Sequence, residues 1–318
     1  MTIHFETHLH RLKQGLSAVE YIYTSHDRWP LPRRLGHDLS GPRLNISVLD
    51  SSFNPPTLAH LALADLPYPK SFWRSPEASD RFHAKLLLLS VRNADKLLKP
   101  SDATHAQRLD MMILLAKDLS SAPSGDGQSG LTGQQPDQSE DANVAVAIID
   151  EPTFVGKSSV LLASLQERIS HLSPALSSET QPLAPHIGPK PSLTFLVGMD
   201  TLDRLFSSRY YSSEESMRAS LRHFLSPEGD NSRVICARRL GMKEDPVVVE
   251  ERTLRAAQEF VDSQRIALID IEERLAEFSS SEVRDKINAA IGQTVWSTMV
   301  TSSIAEYIVT KGLYLHLS

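Results

Sequence analysis

Cysteine is almost missing from this chain of 318 residues: Cys236 is the single one, so no internal disulfide can form, and a reducing compartment fits. Cys236 lies in the apolar run Val234-Ile235-Cys236-Ala237, which predicts a buried structural thiol rather than a nucleophile. Long apolar runs are also missing. Nothing approaches the ~18 residues of a membrane span, and the opening MTIHFETHLHRLK is too charged for a secretory core. The expectation is a soluble cytoplasmic chain, with the nucleus as a second location, and no membrane partner. Positive charge is in deficit, 33 Lys and Arg against 39 Asp and Glu, for a net charge of −6. No global field therefore draws the protein to nucleic acid, and none is expected as a partner. Metal-ligand spacing is missing around His83 and His105, which read as ordinary histidines. No internal repeat is visible either.

What is present is enough apolar material, 41% of residues, for a sizeable core. Short apolar runs rich in branched residues predict six strands, at Ile46–Leu49, Ala84–Leu89, Val144–Ile149, Leu193–Val197, Arg233–Arg238 and Ile266–Ile271. Helical patterns alternate with them: after Thr57, over Ala103–Leu119, after Val155, from Thr201, over Val247–Phe260, after Ser279 and over Ile304–Tyr314. Ahead of the first strand, Phe5, Leu9, Leu12, Leu16, Val19 and Tyr23 recur every three or four residues and predict one amphipathic helix. Arg28–Pro42 reads as an extended connector and Tyr68–Arg81 as a surface loop, with Trp73 as a packing lid. Two stretches, about 120–143 and 173–191, are polar or proline-rich and predict mobile inserts. The expected organisation is an N-terminal helix and connector over 1–42, then a single domain over 43–318 that carries both inserts. Its fold class is α/β, a Rossmann-like, doubly wound, mostly parallel sheet.

The stretch with the most chemistry is Ile46–His60, ISVLDSSFNPPTLAH: an apolar strand, a sharp polar turn, and a helix with Thr57 as its N-cap. In an open parallel sheet such a turn lies where ligands bind. Free N–H groups and the dipole at the helix start suit a phosphate, and His60 sits one turn in. A second phosphate cradle is Ser279-Ser280-Ser281-Glu282-Val283-Arg284, three hydroxyls at a helix start and an arginine one turn on. Gly156-Lys157-Ser158 invites a Walker A reading, which fails because the required first glycine is Glu151. The basic pair Arg238-Arg239 at a strand end is a further candidate for phosphate contact.

Ser51–His60 resembles the nucleotidyltransferase signature G-x-F-x-P-x-[HT]-x-x-H, and Ser279–Arg284 resembles the second box of the same family, S-S-[ST]-x-x-R. The chain thus resembles the nicotinamide mononucleotide adenylyltransferases, over about Ile46 to Tyr314 without the inserts. Ser51 in place of glycine is similar to their fungal promoter-of-filamentation branch. The resemblance implies a nucleotidyltransferase fold and adenylyl transfer from ATP to nicotinamide mononucleotide or its acid analogue, giving NAD and pyrophosphate. It implies Mg²⁺ accompanying ATP, held mainly by phosphate oxygens and water. Ser51, Ser52, Phe53, Thr57, His60, Gly198, Asp200, Ser280, Ser281 and Arg284 become the expected ATP contacts, with His60 and Arg284 catalytic. Gly198 would admit close backbone approach, and Asp200 would accept ribose hydroxyls or simply cap a helix. Asn93, Lys96, Phe154 and Arg239 become the expected acceptor contacts, Phe154 by stacking on the pyridine. Arg108 and Met112 resemble part of the family's H-R-x-x-M helix, with His105 displaced.

Ser51, Phe154, and Glu282 where relatives often carry lysine, depart from the family pattern. They keep open the same chemistry on another acceptor. A reading from another class is an ATP-binding regulator with weak ATPase activity, meeting protein partners through the inserts. Since His60 and Arg284 are expected at a cleft edge, replacing either is expected to change thermal stability little in the absence of nucleotide.

Overall fold

The computed structural model describes residues 5–33, 43–72, 81–92, 101–121, 143–172, 188–238, 246–276 and 278–315. Seven strands form one sheet: β1 (Val19–Thr24), β2 (Arg43–Asp50), β3 (Ala84–Ser90), β4 (Val144–Ile149), β5 (Lys190–Gly198), β6 (Arg233–Ala237) and β7 (Ile266–Ile269). Their order across the sheet is β1-β4-β3-β2-β5-β6-β7. All neighbours are parallel except β1, which pairs antiparallel with β4 at the edge. From β2 the chain steps outward through β3 to β4, then returns to the other side of β2 to lay down β5, β6 and β7. That reversal between β2 and β5 is the switch point of a Rossmann-type sheet, where a crevice opens at the strand ends.

Strands buried on both faces need helices on both faces. Leu49, Leu87, Leu89, Val146, Ile148 and Ile235 point into one layer with helices α3 (His105–Ser121), α9 (Ser280–Asn288) and α11 (Ser302–Lys311). Val48, Leu86, Leu88, Phe195, Val234 and Cys236 point into the other, against α4 (Phe154–Leu172), α5 (Met199–Leu205), α6 (Glu214–Leu225) and α7 (Pro246–Asp262). Burial in that layer raises the Cys236 thiol to about 12, which leaves it an inert core group. Among the described residues the remaining helices are short: α1 (Phe5–Lys13), α2 (Leu58–Ala64), α8 (Glu273–Ala276) and α10 (Gln293–Trp296). Among the described residues no helix is long and apolar enough to cross a membrane.

Five expectations change. The N-terminal helix does not continue to Tyr23: α1 spans Phe5–Lys13, and Val19 to Thr24 form β1. Gly15, at φ +67°, ends the helix, with Leu16 N–H donating to Arg11 O and Gly15 N–H to Leu12 O, the paired bonds of a Schellman cap. Arg11 and His8 then hold Glu20 of β1, at 2.6 and 2.8 Å, and tie the helix to the strand. The expected connector is a folded turn at its start, with Trp29 and Leu31 fully buried; 34–42 lies outside the described residues. The expected surface loop buries Tyr68 and Phe72, and its Trp73 also lies outside. Of the two inserts, Ser120 and Ser121 belong to α3, and Lys190 and Pro191 to β5. Asn143 anchors the start of β4 by donating to Pro30 O and His83 O; 122–142 and 173–187 lie outside. Lastly, α6, α8 and α10 have no counterpart among the expected helices.

Candidate active site

A cleft of about 950 Å³ opens over the carboxyl ends of β2, β3 and β5, a size suited to a nucleotide. Its first wall is the loop from β2 to α2. Phe53 there is fully buried with φ +44°, a left-handed backbone that a bulky residue seldom adopts, so the loop is held in shape by its surroundings. Asn54-Pro55 is a cis peptide. Thr57 N-caps α2, and its amide N–H donates to His60 Nδ1 at 3.1 Å. The Thr57 hydroxyl lies 2.9 Å from the same nitrogen. Because Nδ1 accepts from an amide, the ring proton sits on Nε2, which donates to Ser51 Oγ at 3.0 Å. Ser51 lines the cleft, so the histidine reaches it through this hydroxyl.

The second wall is the start of α9, capped by Ser279 Oγ on the Glu282 amide. Ser280 Oγ donates to Pro55 O at 2.7 Å, and Arg284 donates to Asn54 O at 2.6 Å and to Ser281 Oγ at 3.2 Å. These bonds clamp the two distant boxes together. Beneath them lies a polar hub. Asn54 Nδ2 donates to Asp102 Oδ1 at 2.8 Å, while Asn54 Oδ1 accepts from the Ala103 amide and the Tyr314 hydroxyl. Asp102 also faces two guanidiniums, Arg108 and Arg284, each at 3.7 Å. Burial pushes the Tyr314 phenol up, so it stays a neutral donor; burial also draws Arg108 down, and Asp102 opposes this only in part.

The floor is an ion pair. Lys157 Nζ lies 2.5 Å from Asp50 Oδ2, with both side chains nearly buried, and 5.0 Å from the centroid of the Phe154 ring. This pair sets Gly156-Lys157-Ser158 apart from a phosphate loop: the lysine is paired with a carboxylate of the central strand. Phe154 packs edge-on against Phe195, with ring centroids 5.7 Å apart.

Of the expected site residues, Ser51, Ser52, Phe154, Ser281 and Arg284 line the cleft. Phe53 and Thr57 are fully buried and are not among the lining residues. Ser280 is not among the residues that line the cleft, and its hydroxyl straps α9 to Pro55. Gly198, not Asp200, N-caps α5, and a side chain at Gly198 would meet nothing within 4 Å, which leaves open space over β5. Asp200 is exposed in the first turn of α5, while its neighbours Thr201 and Arg204 line the cleft. Asn93, Lys96 and Arg239 lie outside the described residues. Glu282 pairs with Lys286 at 3.2 Å along α9.

Sequence reasoning missed Asn54, Asp102, Tyr314 and the Asp50–Lys157 pair. It also set aside His105, which lines the cleft, lies 5.9 Å from the Phe5 ring and has its pKa lowered chiefly by burial. Asn54 carried a signal inside the first box, and Tyr314 is the last residue of the stretch over which the family resemblance runs. Among the described residues no group of three or more His, Cys, Asp or Glu could hold a metal ion.

No protein-family model matches the chain. A Schizosaccharomyces pombe protein described as "Putative nicotinamide mononucleotide adenylyltransferase" is 30% identical over 181 residues, 57% of this chain and 49% of that protein. The chain thus spans about half the length of this curated relative. A solved structure of Plasmodium falciparum nicotinic acid mononucleotide adenylyltransferase complexed with APC covers 86% of this chain and 98% of its own, at 16% identity and TM-score 0.47. The same enzyme complexed with NaAD covers 85% and 97%, at 17% identity and TM-score 0.43.

Proposed function

We propose that the chain transfers the adenylyl group of ATP to a pyridine mononucleotide, nicotinamide mononucleotide or its acid analogue, forming the dinucleotide and releasing pyrophosphate. The observation that carries this reading is the clamp of Ser279–Arg284 onto the Ser51–His60 loop, Arg284 to Asn54 O and Ser280 to Pro55 O, beside one cleft at the switch point. The Schizosaccharomyces pombe relative supports it independently.

In this reading the acceptor phosphate attacks the α-phosphorus directly and pyrophosphate leaves, so no side-chain nucleophile is required. Catalysis is positioning and charge stabilisation. His60 holds the Ser51 hydroxyl by donating to its oxygen, which turns the Ser51 proton toward a phosphate oxygen. Arg284 and Ser281 take the leaving pyrophosphate, the arginine already aimed by Asn54 O and Asp102. Mg²⁺ would enter with the triphosphate, held mainly by phosphate oxygens and water. When bound, it would neutralise charge on the leaving group.

The test is incubation with ATP and nicotinamide mononucleotide, with CTP as an alternative donor, scoring dinucleotide and pyrophosphate. Dinucleotide from ATP is expected; ATP binding or slow hydrolysis without dinucleotide would instead favour a regulator. Phe154 borders the cleft, where one face of its ring can take a pyridine, worth about 1 kcal/mol beyond burial. Phe154→Ala is expected to raise the KM for the mononucleotide several-fold and leave that for ATP nearly unchanged. An equal effect on both, or on neither, would remove the acceptor from Phe154.

A further inference from the structure

The Asp50–Lys157 pair has no part in the chemistry above, yet it forms the floor of the cleft beside Phe154. An ion pair this buried is costly to desolvate, and well-packed apolar side chains would often serve stability as well. The two groups come from the central strand and the first turn of α4, so the fold brings them together from 107 positions apart. With one ammonium N–H on Asp50, Lys157 keeps two more donors, and the Asp50 carboxylate keeps unused lone pairs. The cleft floor therefore offers a donor and an acceptor side by side, with no net charge.

We propose that the Asp50–Lys157 pair selects a carboxamide over a carboxylate on the acceptor's pyridine ring, making nicotinamide mononucleotide the preferred substrate. This rests on the adenylyl-transfer reading, with the pyridine against Phe154. A primary carboxamide presents one acceptor and one donor group, the complement of Lys157 beside Asp50. A carboxylate presents two acceptors and no hydrogen. One of its oxygens would face Asp50 with no proton between them, two like charges in a water-poor floor. A site built to hydrogen-bond an N–H rejects an analogue that lacks it more strongly than an apolar site can. Of the cations that line the same cleft, Arg92 is engaged with Asp150 at 3.1 Å, and Arg204 donates to Asp200 O at 3.0 Å.

The test measures binding of nicotinamide mononucleotide and of nicotinate mononucleotide to the full chain by calorimetry, and kcat/KM for each with ATP. The wild-type chain should favour the amide by roughly ten-fold or more in both measurements. Asp50→Asn removes the repelling charge and leaves Lys157 positive, so the preference should collapse or invert toward the acid. Lys157→Gln should weaken both acceptors but keep the amide ahead. A melting curve on each variant checks folding, and the wild-type selectivity needs no variant at all. Dinucleotide formed equally well from both acceptors, or better from the acid, would overturn the selectivity while leaving adenylyl transfer intact. Binding of neither mononucleotide would overturn the adenylyl-transfer reading, and the selectivity with it.

Discussion

His60 has two duties that pull on different measurements. Its Nε2–H orients Ser51 toward the cleft, while its Nδ1 accepts the Thr57 amide at the start of α2. His60→Ala is expected to lower kcat roughly 10²-fold, the usual worth of a preorganised donor. It should also lower the melting temperature without nucleotide, because a helix-start N–H loses its acceptor at a cost of about 1 kcal/mol. Arg284 divides differently. It holds a group already charged in bound ATP, so Arg284→Ala should chiefly raise the KM for ATP and weaken inhibition by pyrophosphate. Removing it strands Asn54 O and takes one of two guanidiniums from Asp102, a loss of about 1–3 kcal/mol. Sequence alone suggested little change in stability; the bonds to Thr57 and Asn54 are the grounds for expecting a measurable loss. Melting curves beside steady-state kinetics check both variants, and a His60→Ala protein with wild-type turnover would remove His60 from the chemistry.

At the scale of elements, the hub around Asn54 joins four pieces: the β2–α2 loop, the start of α3, the start of α9 and the chain just after α11. The last link is the least obvious. Gly312 closes α11 in a left-handed conformation, and Tyr314 follows at φ +64°, which turns its hydroxyl inward to Asn54 Oδ1 at 3.0 Å. Tyr314→Phe should cost about 1 kcal/mol of stability, since Asn54 Oδ1 keeps its bond from the Ala103 amide. It should also raise the KM for ATP by a small factor with kcat almost unchanged, because Asn54 aims Arg284. A variant that melts earlier but binds ATP normally would confine Tyr314 to packing.

At the scale of the whole molecule, three partly buried histidines make stability depend on pH. His26, His83 and His105 each have a pKa lowered first by burial, then by nearby arginines. In the unfolded chain these rings titrate near 6.5, so as pH falls below that value the unfolded state takes up protons that the folded state refuses. The stabilisation they give is complete above about pH 6.5 and is lost as pH falls through their lower folded values. The melting temperature should therefore drop between about pH 6.5 and 5, and His105→Gln should shrink the drop. A flat profile over that range would show that the folded rings protonate freely.

Much of the architecture was local information. Six strands stood out because a strand buried on both faces must be a short continuous apolar run, as Val144–Ile149 is at every position. The two boxes were readable because turn formers and helix starts act within a few residues of themselves. Strand β1 was hidden: Val19, Tyr21 and Tyr23 fit a strand, while Val19 and Tyr23 also fit the helical spacing set by Leu12 and Leu16. Only the Gly15 cap and pairing with β4 decide between the two. The Asp50–Lys157 pair and the Tyr314–Asn54 bond were beyond any local pattern, since their partners stand 107 and 260 positions apart. A lone lysine or tyrosine in a sequence carries no record of which distant group will cancel its charge or accept its proton. Parallel strands joined by long crossovers bring such groups to one sheet edge, so the elements were set by sequence, whereas the chemistry of the cleft floor was set by topology.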